Sequence, residues 1–258
     1  MAVAAAPGHG RKVRVPGRGV AVGPAEAAVD AGEWTMGEGV LVAVEGVDGV
    51  GKQTLTRALT RIWEQAGVRV ARVAFPRYGE STTADLAAEA LTGDHGGLAD
   101  SPEAMAVLFA LDRAAAATDL RRLRAEHEVV LLDRYVASNA AFTAARLHES
   151  ADGSAVRWIE RLELGRFALP VPDIQILLDI SIDEAARRVQ KRSNEDAGRA
   201  RDAYERDLDL QERTAEVYRD LARRSWLSPW RLVGADPDVP QLATELLPVQ
   251  TLDTEMTR

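Results

Sequence analysis

Residues 40–54 read VLVAVEGVDGVGKQT, and this stretch decides the fold. The β-branched, apolar run Val40–Glu45 predicts a buried strand. The next seven residues, Gly46 to Lys52, match the pattern G-x-x-x-x-G-K, and apolar residues then recur at helical spacing over 53–65. A strand, a glycine loop and a helix in this order predict a phosphate-binding loop at the start of a helix.

The chemistry of this loop follows from its residue types. Glycines let the chain turn with its N–H groups inward, and these donors and the helix N-terminus hold phosphate oxygens. Lys52 would neutralise the charge of the outer phosphates. The usual Ser or Thr after the lysine is replaced by Gln53, so Thr54, or a carboxylate with water, is the candidate for binding Mg²⁺. The candidate phosphate site comprises Gly46, Gly49, Val50, Gly51, Lys52, Gln53 and Thr54.

Asp48 is unusual because it places a carboxylate inside an anion-binding loop, where it repels phosphate. A separate task would explain it, either orienting the phosphate acceptor or holding Mg²⁺ through water. The alternative is an ordinary turn residue whose side chain bonds to its own backbone.

The rest of the chain alternates between strand and helix patterns. This predicts an α/β fold, with a parallel sheet that has helices on both faces. The further predicted strands are 68–75, 129–133, 174–180 and 230–233, and the further helices are 83–91, 102–126, 137–148, 154–167, 183–192, 200–224 and 239–247.

Two strand ends carry candidate site residues, because ligands of open α/β sheets bind at the carboxyl edge. Asp133 ends a buried strand and could serve Mg²⁺, with Arg134 beside it as a phosphate clamp. Phe75, Arg77 and Tyr78 close another strand and suit a base-stacking wall with a second clamp. The Phe75–Pro76 bond is a candidate cis peptide. The alternatives are a structural Asp–Arg pair and a core phenylalanine.

Residues 187–201 form a basic segment in a chain whose net charge is −8. The pattern favours a mobile lid that closes over transferring phosphates, with Arg192 and Arg199 as candidate catalytic residues. The alternative is a solvated helix with salt bridges four residues apart. The segment contains Arg187, Arg188, Lys191, Arg192, Arg199 and Arg201 against Glu195 and Asp196.

Composition divides the 258 residues and excludes several classes of protein. Residues 1–38 are rich in Ala, Gly and Pro and predict a disordered tail, unless translation starts at Met36. Residues 39–250 predict one domain, and 251–258 a flexible C-terminus. The negative charge argues against general nucleic-acid binding, and no apolar run suits a membrane span. The absence of cysteine and of a signal-peptide pattern fits a cytoplasmic protein.

Five ordered motifs, EGVDGVGK, FPRYGES, FALDRA, DRYVASNAAFTAARLHE and GRARDAYERD, resemble the thymidylate kinase family in the form found in high-GC bacteria. The resemblance runs from about residue 40 to 235. It implies a P-loop nucleoside-monophosphate-kinase fold with a five-stranded parallel sheet. It also implies transfer of the γ-phosphate of ATP to dTMP with Mg²⁺, in a homodimer.

The resemblance assigns roles to individual residues. The phosphate loop would bind ATP, and the dTMP site would comprise Asp48, Phe75, Arg77, Tyr78, Arg113, Ser138, Asn139, Phe142, Tyr204 and Glu205. Within it, Phe75 would stack on thymine, Asn139 would hydrogen-bond the base and Arg77 would contact the phosphate. Asp48, Lys52, Arg134, Arg192 and Arg199 would be catalytic, and Asp48, Asp133 and Thr54 would serve the metal.

Two departures from the family pattern leave alternatives open. Phe142 stands where this bacterial form often has tyrosine, and Glu195 where a lid arginine would be expected. Glu195 leaves open which lid arginine reaches the phosphates, while Phe142 and Gln53 leave open a related kinase with another acceptor. The other alternative is a nucleotide-binding switch that transfers no phosphate.

Overall fold

The computed structural model describes residues 38–185, 187–188, 204 and 207–247. Five strands form one parallel sheet in the order β2-β3-β1-β4-β5. They are β1 (Val40–Glu45), β2 (Val70–Ala74), β3 (Val129–Asp133), β4 (Ile174–Leu178) and β5 (Trp230–Val233). The predicted parallel α/β sheet is confirmed, and the bounds of β1, β3 and β5 match the sequence patterns.

Helices connect these strands. The α-helices bounded within the described residues are α1 (Lys52–Gln65), α2 (Thr82–Thr92), α3 (Pro102–Glu126), α4 (Val136–Arg146), α5 (Ser154–Glu160), α6 (Leu208–Arg223) and α7 (Val239–Leu246), with a 3-10 helix at Gly96–Asp100. Local sequence sets several of their starts. The Ser101 hydroxyl accepts from the Ala104 N–H, and Pro102 opens α3. The Asp207 carboxylate accepts from the Leu210 N–H at the start of α6.

One predicted helix has a different ending. The pattern over 154–167 predicts a single α-helix, but the helix changes at residue 161 to a π-helix, Arg161–Arg166. The wider turn takes in Glu163, a carboxylate with no exposed surface. The Glu163 carboxylate accepts hydrogen bonds from Arg113 and Asn139 on other helices. Helical periodicity in the sequence does not predict contacts of this kind, so it did not predict the π-helix.

The core lies on the central strands. Every residue of β1 is buried, as expected for a parallel strand covered on both faces. Trp63 of α1 is buried against α7, where its indole N–H donates to the Ala243 carbonyl at 2.9 Å. Register pairs Val44 of β1 and Ala74 of β2 with Asp133 of β3. The carboxyl ends of these three strands therefore meet at one edge, and the loops leaving them build the site.

Several predictions concern residues outside the described part of the chain. These are the tail up to residue 37, the C-terminus from residue 248 and the lid beyond Arg188. Among the described residues, no helix combines the length and the apolar character needed to cross a bilayer.

Candidate active site

The loop after β1 turns sharply into α1. Gly46, Gly49 and Gly51 all have positive φ, at 140°, 80° and 102°. At Gly46, the Cβ of any other residue would lie 2.9 Å from the Leu178 carbonyl oxygen. Glycine is therefore required at this position for space as well as for conformation. The α-helix begins at Lys52, so its free N–H groups face the loop.

Lys52 is buried under this loop. Its ammonium donates to the carbonyl oxygens of Gly46 at 3.0 Å and Val47 at 2.8 Å. Burial lowers the pKa of Lys52 to about 8, and repulsion from the Arg134 guanidinium acts in the same direction. Nearby carboxylates, Asp48 first, oppose this shift of the pKa.

Asp48 and Arg134 form an ion pair between the phosphate loop and the end of β3. Arg134 Nη2 lies 2.5 Å from Asp48 Oδ1, and Nη1 donates to the Gly46 carbonyl at 3.0 Å. Burial alone would raise the pKa of Asp48, but attraction to Arg134 and Lys52 outweighs it and the net pKa is lowered. Asp48 is therefore ionised near neutral pH.

The backbone of Arg134 is strained in a way that serves this contact. Its φ of 66° lies in the left-handed region, which is uncommon for a residue with a side chain. Its N–H donates to the Val44 carbonyl of β1 at 2.9 Å. The guanidinium lies 5.4 Å from the centre of the Phe142 ring, a cation–π contact. Arg134 thus joins the phosphate loop to the neighbouring cleft.

The cleft next to the loop is open to solvent and encloses about 550 Å³ of space, part of which is open solvent. Five of its twelve lining residues are aromatic, and the charged Asp48 and Arg134 lie at the loop side. The lining residues are Asp48, Phe75, Pro76, Tyr78, Leu91, Phe109, Arg113, Arg134, Ser138, Asn139, Phe142 and Tyr204. Nine residues predicted for the acceptor or catalytic site are thus brought together around one cavity.

Polar groups are fixed at the floor of this cleft. Arg113 of α3 and Asn139 of α4 are nearly fully buried, and both bond to Glu163. Burial disfavours the charged form of Arg113, but attraction to Glu163 more than compensates, and the pKa of Arg113 is raised. Phe75 lies nearby with its ring 6.0 Å from that of Tyr135, and the Phe75–Pro76 bond is cis, which confirms the prediction.

Other predicted residues lie elsewhere. Arg77 does not line the cleft: its Nε donates to Asp112 Oδ1 at 2.8 Å, and its Nη2 to the Asp112 carbonyl. Gln53 and Thr54 are exposed on the first turn of α1. Arg192, Arg199 and Glu205 lie outside the described residues.

The described start of the basic segment reaches the phosphate loop. Arg188 Nη1 donates to the Val50 carbonyl at 3.2 Å, while its Nε bonds to Glu184 at 2.9 Å. Near the other end of the segment, the Tyr204 ring stacks on Phe142 with centroids 5.9 Å apart. Arg188 at the start of the segment and Tyr204, three residues beyond it, therefore both border the site.

Sequence reasoning missed three buried residues that support the site. The Glu45 carboxylate accepts from the Tyr135 N–H and from the Ser138 hydroxyl, at 2.8 and 2.6 Å. Burial raises the pKa of Glu45, and its hydrogen bonds reduce that effect only in part. The side-chain oxygen of Gln211 on α6 accepts from the Asp48 N–H, and the Glu163 carboxylate accepts from the Asn139 amide at the floor of the cleft. A charged residue at the end of the apolar run Val40–Glu45 was the available signal for Glu45.

A phosphate loop after β1, next to a separate aromatic cleft at the same sheet edge, defines a P-loop nucleoside-monophosphate kinase. Residues 44–229 match the family model described as thymidylate kinase. This chain belongs to the thymidylate kinase family.

Individual relatives agree with this assignment. Thymidylate kinase of Mycobacterium tuberculosis is 54% identical over 209 residues, which is 81% of this chain and 98% of that protein. A probable thymidylate kinase of Thermococcus gammatolerans is 34% identical, covering 81% of this chain and 94% of the relative. A solved thymidylate kinase structure from Candida albicans has a TM-score of 0.59 at 22% identity, covers 81% of this chain and 89% of its own, and supports the fold.

Proposed function

We propose that the chain phosphorylates dTMP to dTDP with ATP, as a phosphotransferase of the thymidylate kinase family. The observation that carries this proposal is the meeting of two sites, the phosphate loop and the aromatic cleft, at the Asp48–Arg134 ion pair. A phosphoryl acceptor needs a site of its own beside the donor. A nucleotide-binding switch needs only one site, so the separate cleft argues against it.

On the donor side, the loop amides and the first turn of α1 bind the ATP phosphates. The ammonium of Lys52 exchanges its two carbonyl acceptors for phosphate oxygens. Arg188 already contacts the loop at Val50 and is placed to add positive charge. A similar contribution from Arg192 and Arg199 stays a prediction.

On the acceptor side, Phe75 supplies the face on which thymine stacks, and Arg113 and Asn139 face the edge of the base. Ser138, Phe142, Tyr78 and Tyr204 complete the wall of the cleft. The contact of Arg77 with the acceptor phosphate stays a prediction, because its guanidinium is paired with Asp112. So does the role of Glu205.

The reaction requires little covalent chemistry from the protein. The attacking oxygen of dTMP is anionic at neutral pH, so no strong general base is needed. Phosphoryl transfer then depends on positioning and charge neutralisation. Arg134 lies between the loop and the cleft and donates to the oxygens that share the developing charge. Asp48 keeps that guanidinium oriented through its 2.5 Å contact.

The residues present also suit Mg²⁺. The described residues contain no group of three or more carboxylates or histidines that could cage a metal ion. Nucleotide-bound Mg²⁺ needs only one or two carboxylates, because phosphates and water complete its shell. Asp48 and Asp133 both lie near enough to Lys52 to act on its pKa, and they would hold the ion. Mg²⁺ would add charge neutralisation at the phosphates, while exposed Thr54 stays a weaker candidate.

The homodimer, which the family resemblance implies, and the cytoplasmic location, which the sequence predicts, stay predictions. Light scattering of the purified chain checks the first.

ADP release with ATP and Mg²⁺ tests the proposed function, with dTMP, dUMP, dCMP, dGMP or thymidine in separate reactions. We expect dTMP to be the preferred acceptor. Preference for another acceptor would keep the kinase mechanism and reassign the base pocket. ATP binding without ADP release from any acceptor would contradict the proposal and favour a switch.

The pKa of Lys52 predicts how activity depends on pH. The charged ammonium binds phosphate, and in the free protein it loses its proton as the pH rises through about 8. We expect kcat/KM for ATP to fall about tenfold between pH 7 and pH 9, because this ratio reports on the free enzyme. The value of kcat should fall less, because bound phosphate raises the pKa of the lysine.

The matched control is Lys52→Arg, since arginine stays charged throughout this range. Whatever its absolute activity, its kcat/KM for ATP should show no fall between pH 7 and pH 9. An equal fall in this variant would assign the titration to another group.

A further inference from the structure

Glu163 is a fully buried carboxylate whose partners all lie on the floor of the cleft. It sits in the π-helix Arg161–Arg166 and has no exposed surface. Arg113 donates to it twice, from Nε at 2.5 Å and from Nη2 at 2.8 Å. Asn139 donates from Nδ2 to Glu163 Oε1 at 2.7 Å. One carboxylate thus holds both residues that face the acceptor base.

These contacts fix which way round the Asn139 amide lies. Its nitrogen donates to Glu163 and to the Ala106 carbonyl at 3.0 Å. Both of these oxygens can only accept, so the side of the amide that meets them must be the NH₂ group. Its two hydrogens are then used. Asn139 can offer the cleft only its carbonyl oxygen, whose other contact is with the Thr143 hydroxyl at 3.5 Å.

The same carboxylate fixes the orientation of Arg113. Two of the three guanidinium nitrogens donate to Glu163. The third, Nη1, has no hydrogen-bond partner among the described residues. Because Arg113 lines the cleft and arginine has no acceptor, it can offer a base only N–H donors.

We propose that Glu163 is the positioning residue that makes this pocket select a 4-keto pyrimidine over a 4-amino pyrimidine. It leaves one acceptor, on Asn139, and one donor, on Arg113, at the base edge. Thymine presents the complement, an N3–H donor and an O4 acceptor. Cytosine presents the opposite, an N3 acceptor and an amino donor. This inference rests on the proposed function, since it requires the base to lie over Asn139 and Arg113.

The discrimination follows from the rigidity of the floor. When a donor of the base faces a donor of the protein, both buried groups are left without hydrogen-bond partners. Sites of this kind reject the mismatched ligand strongly. An exposed asparagine could rotate its amide and accept either base. Here rotation would turn the amide oxygen towards the Glu163 carboxylate and the Ala106 carbonyl, so the electrostatics of the floor forbid it.

Glu163→Gln tests the proposal. In the wild-type chain, three N–H donors from Arg113 and Asn139 face the Glu163 carboxylate. Glutamine replaces one carboxylate oxygen with an NH₂ donor, so the Asn139 or the Arg113 side chain must turn away from it. We expect the Kd ratio of dCMP to dTMP, measured by titration calorimetry, to fall at least about tenfold. The Kd for ATP should stay within about threefold of wild type, because the phosphate loop is untouched.

Two variants provide controls. Glu64→Gln makes the same chemical change at an exposed position of α1 that does not line the cleft, and its Kd ratio should equal that of wild type. Glu163→Asp keeps an acceptor-only side chain, so it should weaken dTMP binding while keeping the ratio within about threefold. This variant also serves if Glu163→Gln does not fold, as judged by thermal melting.

The outcomes separate the two proposals. Equal weakening of dTMP and dCMP in folded Glu163→Gln would overturn the inference and leave Glu163 a structural residue. A ratio lowered about tenfold or more in Glu163→Asp would overturn it too. Wild-type chain that turns over dTMP in either case leaves the proposed function standing. Wild-type chain that neither binds nor phosphorylates dTMP would refute the proposed function itself.

Discussion

Arg134→Ala is expected to lower kcat at least about 100-fold, which corresponds to about 2.7 kcal/mol of lost transition-state stabilisation. The guanidinium bonds to Asp48 and Gly46 of the phosphate loop and also borders the acceptor cleft. Among the described residues, Arg134 is therefore the cation best placed to stabilise negative charge while the phosphoryl group passes from ATP to dTMP. ADP release at saturating ATP and dTMP measures the effect.

The variants around this prediction separate charge from geometry. Arg134→Lys keeps the charge but loses the planar fork, so its kcat should fall between those of wild type and Arg134→Ala. Arg69→Ala removes an arginine whose ion pair, with Glu128, is exposed at the opposite edge of the sheet, and kcat should not change. Thermal melting checks that Arg134→Ala remains folded despite the unpaired Asp48. A folded Arg134→Ala with kcat within about threefold of wild type would contradict the role assigned to Arg134.

Much of the fold could be predicted because its signals are local. The apolar runs that become β1 and β3 are short, bounded and free of polar residues until their ends, and they are central in the sheet. Glycine and lysine spacing placed the phosphate loop without any tertiary information. The π-helix Arg161–Arg166 could not be predicted, because Glu163 is drawn inward by partners about 24 and 50 residues away along the chain.

The residues of the candidate site also differ in whether the sequence could predict them. Residues at the ends of strands, such as Asp133, Arg134 and Phe75, could be selected because topology alone brings strand ends together. Arg77 shows the limit of this reasoning. It occupies a suitable strand end, yet Asp112, 35 residues further along the chain, takes its guanidinium. Gln211 was missed because its contact with Asp48 joins residues 163 positions apart.

Lys52→Met is the second change with a large expected effect, and it should lower kcat/KM for ATP at least about 100-fold. Methionine keeps most of the length and volume of the buried stem, so the loss isolates the ammonium. That group is buried and donates to two loop carbonyls, Gly46 and Val47. Its removal leaves the loop without its central cation when the phosphates arrive. Initial rates at varied ATP and saturating dTMP give the ratio.

A matched change on the same helix controls for α1 itself. Arg61→Ala removes a positive charge from the exposed face of α1, and kcat/KM for ATP should stay within about twofold of wild type. The affinity for dTMP should change much less than that for ATP in Lys52→Met, because Lys52 does not line the acceptor cleft. If both nucleotides were lost together in a folded protein, Lys52 would be holding the whole site rather than binding the donor phosphates. Loss of ATP alone would assign the loop to the donor and leave the cleft, with its floor at Glu163, to the acceptor.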